Sequence, residues 1–326
     1  MYTCVRLNAE NKSVKDRLIK FLADFELSYE PLDSLYVVLD SNDKWYATGG
    51  RSGNVLKGFA VLDDYRSEGF FDLILSSLVT ESYKYGLDSL YVFTKREYSM
   101  IFKSFGFDEL AHTKVSSLLM RSDHGVDKML DELCIETVSD ERVGAIVMNA
   151  NPFTNGHRYL VEVASSKVDK LLVFVVQNDA STFSFKDRFE MVKRGCTDFK
   201  NVQVIPSTDL IISQATFPSY FIKEKELISS EHAKIDAGVF KRFFVPRFNI
   251  GVRFLGSEPI DVSTAIYNEV LTNTLPPECE VEVVERLKSS DTVISASIVR
   301  RLLKEGRIEE ITSYVPKTTY EYLKGI

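Results

Sequence analysis

The sequence predicts an α/β protein in two parts: a mixed α+β half, then a half built on a doubly wound parallel sheet. Three observations carry this. The chain has 326 residues, more than one small core absorbs, so two domains are expected. The second half alternates near-continuous apolar runs with helical patterns, as parallel strands covered on both faces do. The first half shows short runs of period two around one long helical pattern.

In the first half, YVVLD, WYATGG and VLKGFAVLD alternate like antiparallel strands. GFFDLILSSLVTESYKYG then carries apolar residues at helical spacing, with Gly86 placed as its stop. SLYVFT is another strand, and SMIFKSFGFDEL a short helix running into a strand. The charged stretch at 121–144 is the natural boundary. It sets a first domain at 1–125, a linker at 126–142 and a second domain at 143–326. Strands then follow as VGAIVM, KLLVFVVQ, NVQVIPS, GVRFLG and CEVEVVE, with helices expected near 157–167, 185–196, 217–229, 262–272 and 296–305.

Composition narrows the function. Hydrophobic residues make up 44% and charged residues 27%, ordinary for a globular chain. The net charge of −7 leaves no surplus of Lys and Arg for a nucleic acid or an anionic membrane. The 4 cysteines are scattered without a CxxC pair, so neither a disulfide framework nor a metal site is expected, and reduced thiols are the default. The N-terminus lacks the apolar core of a signal peptide, and no stretch is apolar enough to span a bilayer. A soluble, cytoplasmic protein is expected.

The chemistry concentrates where the first parallel strand ends, in NANPFTNGHRYL. A helix N-terminus has unpaired N–H groups and partial positive charge, which suits an anion. Gly156 admits close approach of a phosphate, and Asn151 before Pro152 is held extended. His157 stands at the first turn as a hydrogen-bond donor. A plain turn capped by Thr154 accounts for the same residues. A second helix start, ISASIVRRLLKEG, pairs Ser295 and Ser297 with Arg300 and Arg301. Arginines in the first turns oppose the helix dipole by about 0.3–1 kcal/mol each, unless an anion sits there or both reach solvent. FSFKDRFEMVKRG brings Lys186 and Arg188 to a third helix start, as a solvated face or as phosphate ligands.

These residues carry a family resemblance. Thr154, Gly156 and His157 resemble the HxGH element of the Rossmann-like nucleotidyltransferase superfamily, with Thr154 in place of the first His. ISASIVR (Ile294–Arg300) resembles that superfamily's second signature, ISx(T/S)xxR. VMNANPFTNGHRYLVE, FPSYFIKEKEL, GSEP and ISASIVRRLL together are similar to the citrate lyase ligase family. The first half resembles an acetyltransferase of the GNAT type, with Arg66–Phe71 where that fold has its pyrophosphate loop and Phe71 in place of a small residue.

The resemblance implies an AMP-forming acid–thiol ligase. ATP and acetate give acetyl-adenylate and pyrophosphate, and the acetyl group then moves to the thiol prosthetic group of the acyl carrier subunit of citrate lyase. It places His157 on the α/β-phosphates with Thr154 beside it as a hydroxyl donor, and Arg300, Ser295 and Ser297 on the β/γ-phosphates. Lys186 and Arg188 would meet pyrophosphate, Asn151, Pro152, Phe153 and Gly156 the nucleotide, and Gly256, Ser257 and Glu258 the adenosine. Mg²⁺ would be held largely by phosphates and water. The alternatives are an adenylyltransferase of a phosphorylated cofactor precursor, a catalytically inactive nucleotide- or CoA-sensing protein, and an acetyltransferase working through the first half.

Overall fold

The structure, a computed structural model, describes residues 1–177, 181–211, 219–222, 225–257, 262–285, 288–289 and 292–326. It divides into two units, Met1–Gly125 with Pro218–Glu231, and Val126–Phe217 with His232–Ile326. Residues 218–231 thus group with the first unit, although the sequence reading set them in the second domain.

The first unit holds β1 (Thr3–Leu7), α1 (Lys12–Ala23), β2 (Ser34–Leu39), β3 (Trp45–Ser52), β4 (Val55–Val61), α2 (Phe70–Lys84), β5 (Ser89–Lys95), α3 (Ser99–Ser104), β6 (Asp108–His112) and β7 (Ser116–Ser122). Its sheet runs β1-β2-β3-β4-β5-β7-β6. Every pairing is antiparallel except β4 with β5, which meet only through Val55–Leu56 and Tyr91–Val92. The helix α2 forms because Phe70, Ile74, Leu75, Leu78, Val79 and Ser82 fall on one stripe, and all are buried. Gly86 ends the pattern at φ +74°, a conformation that costs glycine nothing. β1 and α1 went unread in the sequence: β1 is a half-exposed edge strand, and α1 buries only Leu18 and Leu22.

The second unit begins with α4 (Gly125–Asp131), a helix inside the stretch read as a linker. It continues with β8 (Val143–Met148), α5 (Asn155–Ser165), β9 (Lys170–Val175), α6 (Phe185–Gly195), β10 (Val202–Pro206), the part from His232 onward of α7 (Lys225–Val239), α8 (Val245–Arg247) and β11 (Ile250–Gly256). Then come α9 (Val262–Thr274), β12 (Glu280–Val284), the short pair β13 (Lys288–Ser289) and β14 (Thr292–Val293), α10 (Ala296–Lys304) and α11 (Lys317–Lys324). The main sheet is wholly parallel in the order β10-β9-β8-β11-β12. This is the doubly wound α/β arrangement. Leu171, Leu172, Val173, Phe174 and Val175 are all fully buried, which is why β9 reads as an unbroken apolar run. One departure concerns α7: the helix expected near 217–229 is described from Lys225 and runs on to Val239, while 217, 218, 223 and 224 lie outside the described residues.

Candidate active site

The strand order turns back on itself between β8 and β11, and open α/β sheets bind ligands beyond the carboxyl ends of their strands at such a reversal. The loop 149–154 leaves β8 at that point. Thr154 (φ −109°, ψ 169°) is the N-cap of α5, and its Oγ1 accepts the His157 backbone N–H. In return His157 Nδ1 accepts the Thr154 N–H at 3.0 Å. A backbone N–H only donates, so Nδ1 is the acceptor and the ring proton is carried on Nε2. Thr154 Oγ1 also lies 2.9 Å from Nδ1. Thr154 is 2% exposed, so its hydroxyl serves His157 rather than standing beside it as a second phosphate donor.

Phe153 holds the ring from below. The two rings stack with centroids 5.8 Å apart and planes 15° apart, and Phe153 is fully buried. A Cβ on Gly195 would stand 2.4 Å from the Phe153 ring, so the glycine at the end of α6 makes room for this support. Phe153 and Pro152, expected at the nucleotide, are therefore core residues beneath the site. The Asn151–Pro152 bond is cis.

In the first turn of α5, Asn155 donates to Tyr314 O at 2.8 Å and His157 to Thr154 Oγ1. Among the described residues, the Gly156 N–H is left without a protein acceptor. A Cβ on Gly156 would lie 3.6 Å from Ile294 O, which sets the start of α5 against the residue before the cap of α10. Ser295 caps α10 in extended conformation (φ −130°, ψ 147°) without a side-chain capping bond, its Oγ lying 2.9 Å from Ser297 Oγ. Arg300 closes the gap by donating from Nη1 to Asn151 O at 2.6 Å. Two helix N-termini thus converge at the end of β8, tied by one arginine.

Two expectations change. The helix α10 ends at Lys304, so Arg301 lies in its last turn, where a cation complements the dipole. The conflict that argued for an anion does not arise there. Arg188 is 0% exposed and does not reach a phosphate position. Its Nη1 donates to Asn149 O (2.8 Å), Asn149 Oδ1 (2.7 Å) and Val176 O (2.7 Å). Nε donates to Phe183 O at 3.2 Å and Nη2 to Gln177 O at 3.3 Å. It ties the ends of β8 and β9 to the loop before α6. Lys186, two residues before it, is exposed and has no hydrogen bond or ion pair among the described residues.

At the neighbouring strand end, Gly256 O accepts Asn268 Nδ2 at 2.9 Å and Ser257 N–H donates to Val284 O at 2.8 Å. Glu258, expected with them, lies outside the described residues. Sequence reasoning missed Asn149, which receives Arg188 and exchanges bonds with Ser181, although its place just after β8 was a usable signal. Burial pushes the Cys196 thiol up to about 12 and the Cys279 thiol up to about 11, while Cys134 is exposed. Among the described residues no group of three His, Cys, Asp or Glu side chains could hold a metal. In the first unit, Arg66 pairs with Asp63 at 2.7 Å, and Phe71 packs its ring on Phe59, Phe102 and Phe105.

Residues 143–323 match the family described as citrate lyase ligase C-terminal domain. Citrate pro-3S-lyase ligase of Escherichia coli (strain K12) is 34% identical, over 98% of this chain and 92% of its own. Its counterpart from Klebsiella pneumoniae is 33% identical, over 96% of this chain and 94% of its own. A solved structure, Thermotoga maritima TmcAL bound with alpha-thio ATP, is similar at 16% identity, with a TM-score of 0.41, over 56% of this chain and 55% of that one.

Proposed function

From the premise that the chain belongs to the citrate lyase ligase family, we propose the chemistry its site performs. The enzyme is a ligase that activates citrate lyase. An acetate oxygen attacks the α-phosphorus of ATP, the bond to the β-phosphate oxygen breaks, and pyrophosphate leaves. The thiolate of the acyl carrier subunit then attacks the acetyl carbonyl and displaces AMP.

The observation that carries this reading is the reciprocal Thr154–His157 pair, which fixes a ring N–H on Nε2 at a helix N-terminus. That donor and the Gly156 amide meet the oxygens between the α- and β-phosphates. Charge grows there as pyrophosphate departs, and a preorganised donor is worth most where charge develops. The N-terminal amides of α10, with Ser295, Ser297 and Arg300, hold the outer phosphates, and Asn151 O keeps Arg300 turned toward the first helix. Gly256 and Ser257 border the adenosine. Thr154 is a positioning residue: its cap and hydroxyl orient the imidazole. The departure from HxGH therefore leaves one histidine, held firmly, where the wider superfamily has two.

Mg²⁺, with its preference for oxygen ligands and retained waters, would be held by phosphate oxygens and water. There it would neutralise phosphate charge. The acceptor thiol belongs to the partner, in keeping with Cys196 and Cys279 being buried and protonated here. Among the described residues no helix is long and apolar enough to cross a membrane.

Labelled acetate tests the reading. With ATP, label should pass to deacetylated citrate lyase, and its citrate-cleaving activity should return in step. Label transfer that needs no ATP, or AMP transfer to phosphopantetheine in place of acetate activation, would contradict it.

A further inference from the structure

Within the first unit, β4 and β5 pair only through Val55–Leu56 and Tyr91–Val92 and then part. The gap holds a cavity of about 590 Å³ that the ATP chemistry leaves unused. One wall is a triangle of rings, with centroids 5.2 Å apart for Phe59 and Phe71, 5.3 Å for Phe71 and Phe102, and 5.6 Å for Phe59 and Phe102. Tyr220 and Phe221, from the segment that groups with this unit, complete the lining.

The depth and the rim of the cavity differ in chemistry. Side chains two apart on a strand share a face, so Thr94 continues the buried row Leu90–Val92 of β5 into the cavity. Thr94 is 6% exposed, yet its hydroxyl has no hydrogen-bond partner among the described residues. Buried hydroxyls are nearly always bonded, and a polar atom of a ligand would supply the missing partner. At the rim stand four exposed carboxylates, Asp24, Glu26, Asp63 and Asp72, against two cations, Arg66 and Lys95. Asp63 is matched by Arg66 at 2.7 Å, and Asp72 suits the first turn of α2. Asp24 has no such reason: it caps the C-terminal end of α1, where the dipole disfavours a carboxylate, and it meets no cation among the described residues.

This lining turns away a polyphosphate such as coenzyme A, because its charged rim is negative in sum and the Phe71 ring fills the place of a small residue in the loop. Ring faces beside carboxylates attract organic cations instead. We propose that the cavity binds a small aromatic ammonium with a hydroxyl at its far end: the ring among the phenylalanines, the hydroxyl on Thr94, the ammonium at the carboxylate rim. The proposal does not depend on the ligase chemistry.

Calorimetry on the full chain, without ATP, tests it with three probes: tyramine, phenethylamine, which lacks the hydroxyl, and phloretate, which has a carboxylate where tyramine has its ammonium. Tyramine should bind at least about tenfold more tightly than phloretate, about 1.4 kcal/mol, and about fivefold more tightly than phenethylamine, as one added hydrogen bond allows. Thr94→Val should erase the preference over phenethylamine and leave that over phloretate. Asp24→Asn with Asp72→Asn should do the reverse. Should Thr94→Val lower the melting temperature, Thr94→Ser, which keeps the hydroxyl, should retain both preferences. Coenzyme A should not displace tyramine. Absence of tyramine binding, equal binding of phloretate or of phenethylamine, or displacement by coenzyme A overturns the proposal. So does a preference for the hydroxyl that survives Thr94→Val.

Discussion

Replacing Arg188 by Met keeps an apolar stem and removes the guanidinium. In the folded protein that group gives at least five hydrogen bonds among the described residues, to Asn149 O and Oδ1, Val176 O, Phe183 O and Gln177 O. Each abandoned bond is worth about 1 kcal/mol net, or roughly 5 kcal/mol together. Part is returned because a charge no longer has to be desolvated, so a loss of about 3–4 kcal/mol is expected. For a unit of this size that lowers Tm by roughly 6–16 °C, at 2–4 °C per kcal/mol. Circular dichroism melts and urea titrations of wild type and variant measure it. Arg188→Lys, with three donors on one point, should recover only part. A change below about 1 kcal/mol would refute the tie. So would wild-type stability with sharply weaker ATP binding, which would return Arg188 to the phosphates, where the sequence pattern first put it.

Three further outcomes are expected. Thr154→Val keeps the branched shape and removes the hydroxyl; it should cost about 1 kcal/mol of cap stability and slow acetate-dependent exchange about tenfold, with Thr154→Ser near wild type. Equal rates in both variants would detach Thr154 from orienting His157. Arg300→Ala should weaken ATP binding by calorimetry at least about tenfold, as loss of a charge-assisted contact does, and unchanged affinity would count against the clamp. Alkylation of the native protein at about pH 8 should reach Cys134 and spare Cys196 and Cys279, with activity retained, because a protonated thiol is a poor nucleophile. The sign follows from the raised values: folding favours the neutral thiols, so their contribution is full below the ordinary thiol pKa and lost as pH rises toward 11–12. Inactivation that tracks label on Cys196 would place a needed thiol on this chain.

Much of the second unit was legible because each strand is buried on both faces and so reads as one apolar run. VGAIVM is β8 residue for residue, and the helix starts at Phe185, Val262 and Ala296 fall where polar caps or turns meet helical spacing. Features made by distant parts of the chain were not legible. The local pattern around Arg188 is the same for a solvated helix face and for a buried tie. Only the ends of β8 and β9, brought beside α6, supply its acceptors. The role of Thr154 was half visible: a cap was expected, but a histidine three residues on returning the bond lies outside the usual Ser/Thr-x-x-Glu/Gln box. Arg301 was misjudged although the helix end near 305 was expected: α10 has only 9 residues, so its sixth, Arg301, already lies in the last turn. The grouping of 218–231 with the first unit has no local signature. Its anchors there, Ser219 on Glu30 and the Tyr220 hydroxyl on Phe93 O at 3.2 Å, are long-range contacts.

The central claim is that the two helix N-termini at the end of β8 activate acetate on ATP, with His157 donating to the phosphates. ATP–pyrophosphate exchange, measured with and without acetate in wild type and in His157→Ala, tests it most directly. The account predicts exchange that requires acetate in wild type and falls about 10²–10³-fold in the variant, as when one preorganised donor is lost, while the variant melts like wild type. Exchange that ignores acetate, or a near-wild-type rate without the imidazole, would contradict it.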